Sequence, residues 1–543
     1  MSAMVTVGCL VVIAVLRLRL GNPTALPIFL YLFLTQDYWA SWLMLAILMF
    51  AFLSRGATRT DRLAGVLGRC PLWTSAVFFI VLCAGSLLVY HDYPLSMDEY
   101  AALFQSKVFA SGHLTGQYPA KLLDWLIPPV TQNYFFFVSH GSGQVISAYM
   151  PGFALLLTPF TYLGIPWAAN PAIGSISLLA LHRLTFQLTG DERTAGWAML
   201  FAIASPVFVV SAISYYSMSA HLLLNLLFTL ALLRGTRAWS FLAGLIGGLA
   251  LVLHNPFPHM LYALPWLAWM LYRREFGKLG WLSLGYLLVA LPLGAGWVIF
   301  GSELQDAAAA SHAHHASILE AAWHSWLVLL DKVFTVPDVV VIIFRLIGMQ
   351  KLWLWAMPGL ILLAWAGYRS TKGETIPRLL LASALLTFIG YFIVPFDQGH
   401  GWGYRYFHSA WGILPVLAAL AMRNAQESQE RARLIDVVGV VAIASVLLGN
   451  ALQFYQVDTF IEHHLAQIPR QTSAGRTITF VELKGGYYRR DLVQNEPYLS
   501  DQDLMMVSNG HDRNAAVARG FSNSARLVAK GEWGERWSIG ERR

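Results

Sequence analysis

Two adjacent carboxylates, Asp98 and Glu99, stand where a strongly apolar stretch of the chain gives way to polar sequence. Neighbouring residues cannot share one face of a helix, so we expect the two side chains to have different partners. A carboxylate at a boundary between water and lipid is partly desolvated, which makes it a better base near neutral pH. From these residues alone, two roles stay open: a general base, or a cap for a helix starting at Tyr100.

A second polar segment, FDQGHGWGYRYFH, holds Arg405 among glycines and aromatic residues beside another apolar stretch. A guanidinium in such a place suits an anionic head group, and His400 is a candidate to assist it. The alternative is a long cationic side chain that reaches out of the membrane without binding anything. Other residues at the ends of apolar segments are candidates to line a substrate site: Tyr149, Tyr216, His221, His254, His259 and Tyr404.

The histidine-rich run SHAHHASILEAAWHSW invites a metal-site interpretation. Its candidate ligands are His312, His314, His315, Glu320 and His324. No His-x-x-x-His pair falls on one helix face in this run, so we expect a polar outward loop and no metal site. The three cysteines also lack ligand spacing, and they lie in or beside apolar segments: Cys9, Cys70 and Cys83. Apolar packing of the thiols is the expected outcome.

The composition is that of a membrane protein, because 57% of the 543 residues are hydrophobic and only 12% are charged. A soluble globular chain has about 25% charged residues. Blocks such as TSAVFFIVLCAGSLLVY and VVGVVAIASVLLG are nearly free of charge over a bilayer's thickness and must be helical, since lipid cannot satisfy backbone amides. The net charge of +7 comes from Lys and Arg in short loops, which favours topology signals over nucleic-acid binding.

Alternation of basic and acidic or neutral loops predicts about 14 spans, with 12 or 13 also possible because the first blocks are short. Among them, 24–35 and 40–54 are two separate spans joined by an outward segment at 36–39. Longer outward loops cover 91–167 and 301–351, and everything after 455 also faces outward. Within the first loop, 144–163 is apolar and is expected to lie on or dip into the outer leaflet.

The expected domains are N-terminal spans over 1–72, a transmembrane core over 73–454 and a soluble tail over 455–543. In the tail, RTITFVEL and LMMVSNG read as strands and DRNAAVARGF as a helix. The predicted fold class is therefore an all-α polytopic membrane protein of about 12–14 transmembrane helices, with amphipathic helices in its outer loops and a small C-terminal α/β domain.

Three segments together resemble the C-fold membrane glycosyltransferases, the superfamily of protein O-mannosyltransferases and lipid A aminoarabinose transferases. SMDEYAALFQSKVFASGHL is similar to that superfamily's first outer loop, which carries an Asp-Glu pair before an amphipathic helix. AYMPGFALLLTPFTYLG and the helices after it, and GWGYRYFHSAWGILP near the last core helices, extend the resemblance over roughly 75–450. The chain departs from the pattern at Tyr149-Met150-Pro151, Ser219-Ala220-His221 and His254.

The resemblance implies transfer of a sugar from a polyprenyl-phosphate carrier to a lipid, glycan or protein acceptor on the outer side of a bacterial inner membrane. It implies Asp98 as the general base, Glu99 as a structural or substrate-orienting partner, and Arg405 as the residue that stabilises the departing lipid phosphate. No cofactor is expected, because the chain lacks a nucleotide-binding glycine loop. The alternative is a transporter or flippase of lipid-linked saccharides, which we expect to carry charges at mid-membrane depth, whereas the polar residues here are predicted to gather at the outer surface.

Overall fold

Helices make up most of the protein, as the membrane interpretation requires. The computed structural model describes residues 1–54, 60–309, 335–425, 429–471 and 475–540. Within these residues, six helices are long and apolar enough to cross a membrane: Ser2–Leu20, Ile28–Leu53, Pro71–Leu88, Phe276–Gln305, Thr375–Ile393 and Arg433–Leu465. The predicted fold class, a helical polytopic membrane protein with a small C-terminal sheet domain, is confirmed.

The chain forms two compact units, and the first comprises Met1–Val89, Trp167–Leu291 and Trp326–Gln456. Besides long helices that lie in it wholly or in part, this unit holds a series of shorter ones. They are Thr60–Arg69, Ala169–Thr189, Glu192–Ile203, Pro206–Ser211, Met218–Leu232, Arg237–Leu251, Phe257–Tyr272, Val339–Leu354, Leu360–Ser370, His408–Trp411 and Ile413–Ala425. Several of these are shorter than the roughly 20 residues that cross a bilayer unaided.

Small residues allow helices of the first unit to approach closely. Helices Arg237–Leu251 and Phe276–Ala290 meet at Gly244 and Gly285. A Cβ added to Gly244 would lie 2.1 Å from the carbonyl oxygen of Leu282, so no larger residue fits there. This is the packing mode that membrane helices use, because lipid supplies no hydrophobic drive toward association.

One predicted loop of the first unit is wrong. Residues 36–39 do not form an outward loop between two spans; they lie inside the continuous 26-residue helix Ile28–Leu53. The polar pair Gln36-Asp37 suggested a break, but Asp37 is fully buried and its carboxylate pairs with the ammonium group of Lys351 at 2.6 Å. Pairing offsets the cost of burying the charge, so the helix continues. The sequence analysis predicted that polar residues gather at the outer surface. This prediction is wrong for Asp37 and Lys351, which are buried among helices.

Other boundaries move for local reasons. The span predicted over 194–212 is broken between Ile203 and Pro206, because proline lacks an N–H and disfavours a helical residue before it. The span predicted over 352–367 is divided between Val339–Leu354 and Leu360–Ser370, with Gly359 at φ 85° between them. The span predicted over 257–272 coincides with helix Phe257–Tyr272.

The second unit comprises Tyr90–Pro166, Pro292–Ser325 and Val457–Arg543. It opens with helix Met97–Ala110, followed by a small antiparallel sheet whose middle strand is Gln144–Ser147. The outer strands of this sheet are Gly116–Gln117 and Phe136–Val138. The segment predicted to lie on the outer leaflet contributes that middle strand and then helix Gly152–Tyr162.

The C-terminal part forms a four-stranded sheet in the order Asp503–Val507, Arg476–Val481, Gly534–Gly540 and Arg526–Gly531. Strands Arg476–Val481 and Asp503–Val507 are parallel neighbours, and helix His511–Phe521 follows them in the chain. These two strands and the helix match the sequence prediction. The sequence prediction missed the antiparallel hairpin Arg526–Gly540, whose strands carry many charged residues.

The segment Tyr90–Pro166 and the C-terminal sheet share one hydrophobic core within the second unit. Tyr100 and Phe136 from the loop pack in the same buried cluster as Ile478, Phe480 and Trp537 from the sheet. The Tyr100 hydroxyl also donates a hydrogen bond to the backbone oxygen of Asn495 at 2.6 Å. Each part therefore buries apolar surface that the other would leave exposed.

The Glu535 side chain is only 6% exposed, and its carboxylate connects strand Gly534–Gly540 to neighbouring residues through hydrogen bonds. Burial alone would raise the pKa of this carboxyl group, but its hydrogen-bond donors outweigh that effect and lower the pKa to about 2. The donors are Lys530, His511, Asn514 and Trp537. A carboxylate so held is ionised in the folded protein down to strongly acidic pH.

Candidate active-site residues

Asp98 lies in the first turn of helix Met97–Ala110 but does not cap it. Ser96 is the N-cap, and Glu99 completes a capping box with the Ser96 backbone. The Asp98 carboxylate instead accepts a hydrogen bond from the hydroxyl of Tyr149 and is half-buried. Tyr149 is itself fixed, because the indole N–H of Trp297 donates to its backbone oxygen at 2.9 Å.

Glu99 has the surroundings of a structural residue. It is fully buried, and its carboxylate accepts hydrogen bonds from the Ser96 amide at 3.3 Å and from the hydroxyl of Tyr90 at 2.8 Å. The two adjacent carboxylates thus have different partners, as the sequence predicts. The sequence predicted a cap at Asp98 or Glu99 and a helix that starts at Tyr100. The N-cap is Ser96 instead, so the helix starts at Met97, three residues earlier.

Arg405 belongs to a tight loop of the first unit that is clamped by Gln398. The side-chain oxygen of Gln398 accepts from the Arg405 amide at 2.9 Å, and its amide group donates to the Gly403 carbonyl at 3.0 Å. The guanidinium of Arg405 also donates to the Gln398 backbone oxygen. Its central carbon lies 4.2 Å from the ring centroid of Tyr216, a cation–π distance.

Glycines make this loop possible. Gly401 and Gly403 have φ of 103° and 64°, which residues with a side chain rarely adopt. A Cβ on Gly403 would lie 2.6 Å from the Val207 side chain, and one on Gly401 would lie 2.6 Å from the Arg405 side chain. Backbone conformation and space therefore both fix the path that leads to the guanidinium.

Arg345 positions the segment that enters this loop, and the sequence analysis missed it. Its side chain is 1% exposed and donates to the backbone oxygens of Tyr391, Val394 and Phe396 at 2.6–2.8 Å. A lone arginine inside VVVIIFRLIG was the available signal, because a charge in a span is rarely without a role. Gln398 was also missed, since a single glutamine in a loop has no distinctive pattern.

The remaining predicted residues lie in different surroundings. His400 and Tyr404 are buried in the Arg405 loop, and the Tyr404 ring packs against Gly348. His254 is half-buried at a bend. His221 is fully buried, and among the described residues neither of its ring nitrogens has a hydrogen-bond partner.

His259 connects helices of the first unit through hydrogen bonds. One ring nitrogen lies 2.6 Å from the side-chain oxygen of Asn225, and the other lies 2.7 Å from the hydroxyl of Tyr286. The Asn225 side chain continues the network to the backbone oxygen of Ser409 at 2.9 Å. Because both of its nitrogens are engaged by the protein, His259 is occupied in packing the helices.

Metal-ligand chemistry is available at one place in the described part of the chain, the group His91, Asp458 and Glu462 of the second unit. The His91 ring nitrogen lies 2.6 Å from an Asp458 oxygen, which is hydrogen-bond distance. Sequence spacing could not reveal this group, because His91 lies more than three hundred residues before Asp458 and Glu462. The histidine run 312–324 lies outside the described residues.

Two solved structures are similar to this chain over most of its length. They are ArnT from Cupriavidus metallidurans in the apo state, with a TM-score of 0.51 and 14% identity, and the same protein bound to undecaprenyl phosphate, with 0.51 and 13%. Both alignments cover 86% of this chain, and they cover 97% and 98% of the other chains. This chain has the C-fold. No family model and no curated protein matches the sequence.

The C-fold assignment confirms the fold that the resemblance of the outer loop and the Arg405 segment implied. At 13–14% identity the likeness shows the fold and carries no residue roles with it. What the C-fold chain does must therefore be argued from its own residues.

Proposed function

We propose that this protein is an inverting glycosyltransferase that moves a sugar from a polyprenyl-phosphate carrier to an acceptor hydroxyl on the periplasmic side of a bacterial inner membrane. The observation that carries the proposal is that Asp98 is not used to cap its helix. Ser96 and Glu99 supply the cap, and Asp98 is oriented by Tyr149. A half-buried carboxylate that a tyrosine hydroxyl orients, and that is not the N-cap of its helix, suits the role of a general base.

Asp98 takes the proton of the acceptor hydroxyl, and the acceptor oxygen attacks the anomeric carbon opposite the phosphate. The bond between that carbon and the phosphate oxygen breaks, and its electron pair leaves with the lipid phosphate. A single displacement of this kind inverts the configuration at the anomeric carbon and needs one catalytic carboxylate. Glu99, fully buried in the capping box, keeps the helix start fixed and so serves Asp98 as a structural partner.

Arg405 stabilises the charge that develops on the departing lipid phosphate. Support comes from its fixed loop, in which Gln398 and two tightly packed glycines leave the backbone little freedom. A preorganised cation needs no rearrangement when the negative charge appears, which is how electrostatic stabilisation becomes effective. His400 shares this loop and is proposed to assist in phosphate binding. Further support is that a protein with the same fold has been crystallised with undecaprenyl phosphate.

Tyr216, His221 and His254 of the first unit are proposed to contact substrate, and Tyr149 of the second unit is proposed to do so beside Asp98. His221 is the strongest of these, because its buried ring nitrogens lack described partners and a bound polar group would satisfy them. The acceptor is proposed as a lipid, a glycan or a protein. No bound cofactor takes part in this mechanism.

The alternative function, a flippase for lipid-linked saccharides, has one observation in its favour, the charged pair Asp37–Lys351 inside the spans. Both side chains are 0% exposed and neutralise each other, so they do not line a water-filled path. The enzyme proposal therefore has the stronger support.

The test compares membrane glycolipids and envelope glycans, by mass spectrometry, from cells with and without the gene. A missing sugar on one glycan or lipid class, restored by the wild-type gene but not by Asp98→Asn, supports the transferase. In proteoliposomes, movement of intact lipid-linked saccharide across the bilayer without cleavage of its sugar–phosphate bond would assign the protein to the flippases.

A further inference from the structure

Two consecutive polar residues lie well inside the membrane helix Ile28–Leu53. Gln36 is 7% exposed and Asp37 is 0% exposed. Asp37 is nine residues after the helix start, about 14 Å along the axis at 1.5 Å per residue. Uncompensated polar groups at such depth are costly, so their partners indicate what they do.

The Asp37 carboxylate accepts hydrogen bonds from a tryptophan as well as from a lysine. One carboxylate oxygen accepts from the indole N–H of Trp355 at 2.6 Å, and the other accepts from the Lys351 ammonium at 2.6 Å. A buried ion pair is often no more stabilising than an apolar pair of similar size. Stability alone therefore gives a weak reason for the Asp37–Lys351 pair, and the indole contact becomes the informative one.

Gln36 holds a second tryptophan, Trp402. The side-chain oxygen of Gln36 accepts from the indole N–H of Trp402 at 3.0 Å. Its amide group donates to the backbone oxygen of Gln456 at 3.1 Å, and Gln456 returns a hydrogen bond of 3.1 Å to the Gln36 backbone oxygen. Trp402 stands between Gly401 and Gly403, three residues before Arg405.

Trp355 packs against the same loop from another direction. A Cβ on Gly403 would lie 3.5 Å from the Cβ of Trp355 and 2.6 Å from the Val207 side chain. The backbone oxygen of Trp355 accepts from the Val207 amide at 3.0 Å, so the two residues that pack against Gly403 are also bonded to each other. All of these contacts lie within the first unit.

We propose that Gln36 and Asp37 are positioning residues for Arg405, acting through the indole rings of Trp402 and Trp355. Each fixes one tryptophan, and the two tryptophans fix the Gly401–Gly403 turn that sets where the guanidinium lies. The link to lipid-phosphate binding rests on the function proposed above, whereas the positioning of the loop does not.

The loop itself is tested by hydrogen exchange of 397–407 in the purified full chain, with Gln36→Leu, Trp402→Phe and the double variant. Exchange should rise in each single variant and rise little further in the double variant, because both single changes break the same bond. Thr35→Val is the control, since its hydroxyl bonds only to Tyr31 of its own helix among the described residues. Unchanged exchange in Gln36→Leu, with a thermal midpoint like that of Thr35→Val, would overturn the proposal.

The role of Asp37 is tested with two double variants that differ in the acceptor offered to the indole, because Asp37→Asn alone leaves the Lys351 charge buried and unpaired, which is strongly destabilising. Asp37→Asn with Lys351→Met keeps an amide oxygen for Trp355, whereas Asp37→Leu with Lys351→Met removes it. Undecaprenyl phosphate should bind about tenfold more weakly to the Leu form and to Gln36→Leu, and within about twofold of wild type to the Asn form.

Equal affinity in the two double variants would show that the indole contact is without consequence and would refute the role of Asp37. Wild-type protein that fails to bind undecaprenyl phosphate would instead remove the proposed function, and the exchange measurements would still decide the positioning claim.

Discussion

Replacing Asp98 with asparagine separates a catalytic base from a structural residue. Asparagine keeps the size of the side chain and can still accept from Tyr149, while the cap made by Ser96 and Glu99 is untouched. The charge near the helix N-terminus is lost, which costs about 0.3–1 kcal/mol of stability. Loss of general-base catalysis costs on the order of 10²–10⁴ in rate, equivalent to about 3–5 kcal/mol of activation free energy. The electrostatic loss at the helix end is too small to account for such a fall.

The assay is the initial rate of sugar transfer from a polyprenyl-phosphate donor in proteoliposomes, with undecaprenyl phosphate affinity and thermal midpoint measured on the same preparations. Affinity and midpoint should stay near wild type. Asp124→Asn is the matched control, because Asp124 is an exposed carboxylate of the same unit that contacts Gln132. Transfer at the wild-type rate in Asp98→Asn would refute the assignment of the base.

Three further outcomes follow from the same structure. Arg405→Ala should weaken undecaprenyl phosphate binding by about 10–150-fold, because a charge-assisted hydrogen bond of about 1.5–3 kcal/mol is lost, and Arg405→Lys should recover only part of it; equal binding in all three proteins, measured by titration, would remove the phosphate role. Transfer should survive treatment with a chelator, and restoration of a chelator-abolished rate by a divalent ion would point to the group at His91. The lowered pKa of Glu535 makes its contribution to stability complete above about pH 4.5 and lost as the pH falls toward about 2. Over that range, hydrogen exchange of strand Gly534–Gly540 should rise relative to the intrinsic rate of each amide. The same loss of protection in Glu535→Gln would contradict this.

Local signals were sufficient where one segment determined the outcome. Apolar length predicted helix Phe257–Tyr272, and alternation of apolar and polar residues predicted strand Arg476–Val481. The position of Asp98 and Glu99 at the start of a helix also followed from local sequence, although the cap at Ser96 shifted that start.

Partners distant in sequence could not be predicted in the same way. The pair Gln36-Asp37 looked like a loop because the residues that satisfy it, such as Lys351 and Trp402, come more than three hundred positions later. Arg345 was overlooked because its acceptors are backbone oxygens, which leave no trace in side-chain patterns. Polar residues within spans are visible in the sequence, but the distant partners that stabilise them are visible only in the packed structure.

The core shared by the segment Tyr90–Pro166 and the C-terminal sheet constrains the order in which the chain can fold during synthesis. Tyr100 and Phe136 leave the ribosome several hundred residues ahead of Ile478 and Trp537, with which they share one buried cluster. At typical elongation speeds that interval is on the order of tens of seconds, and contacts so distant in sequence are slow to form. During that interval the part of the aromatic cluster that packs against the sheet stays uncovered, so we expect the segment to be most prone to aggregation before the last strands are made.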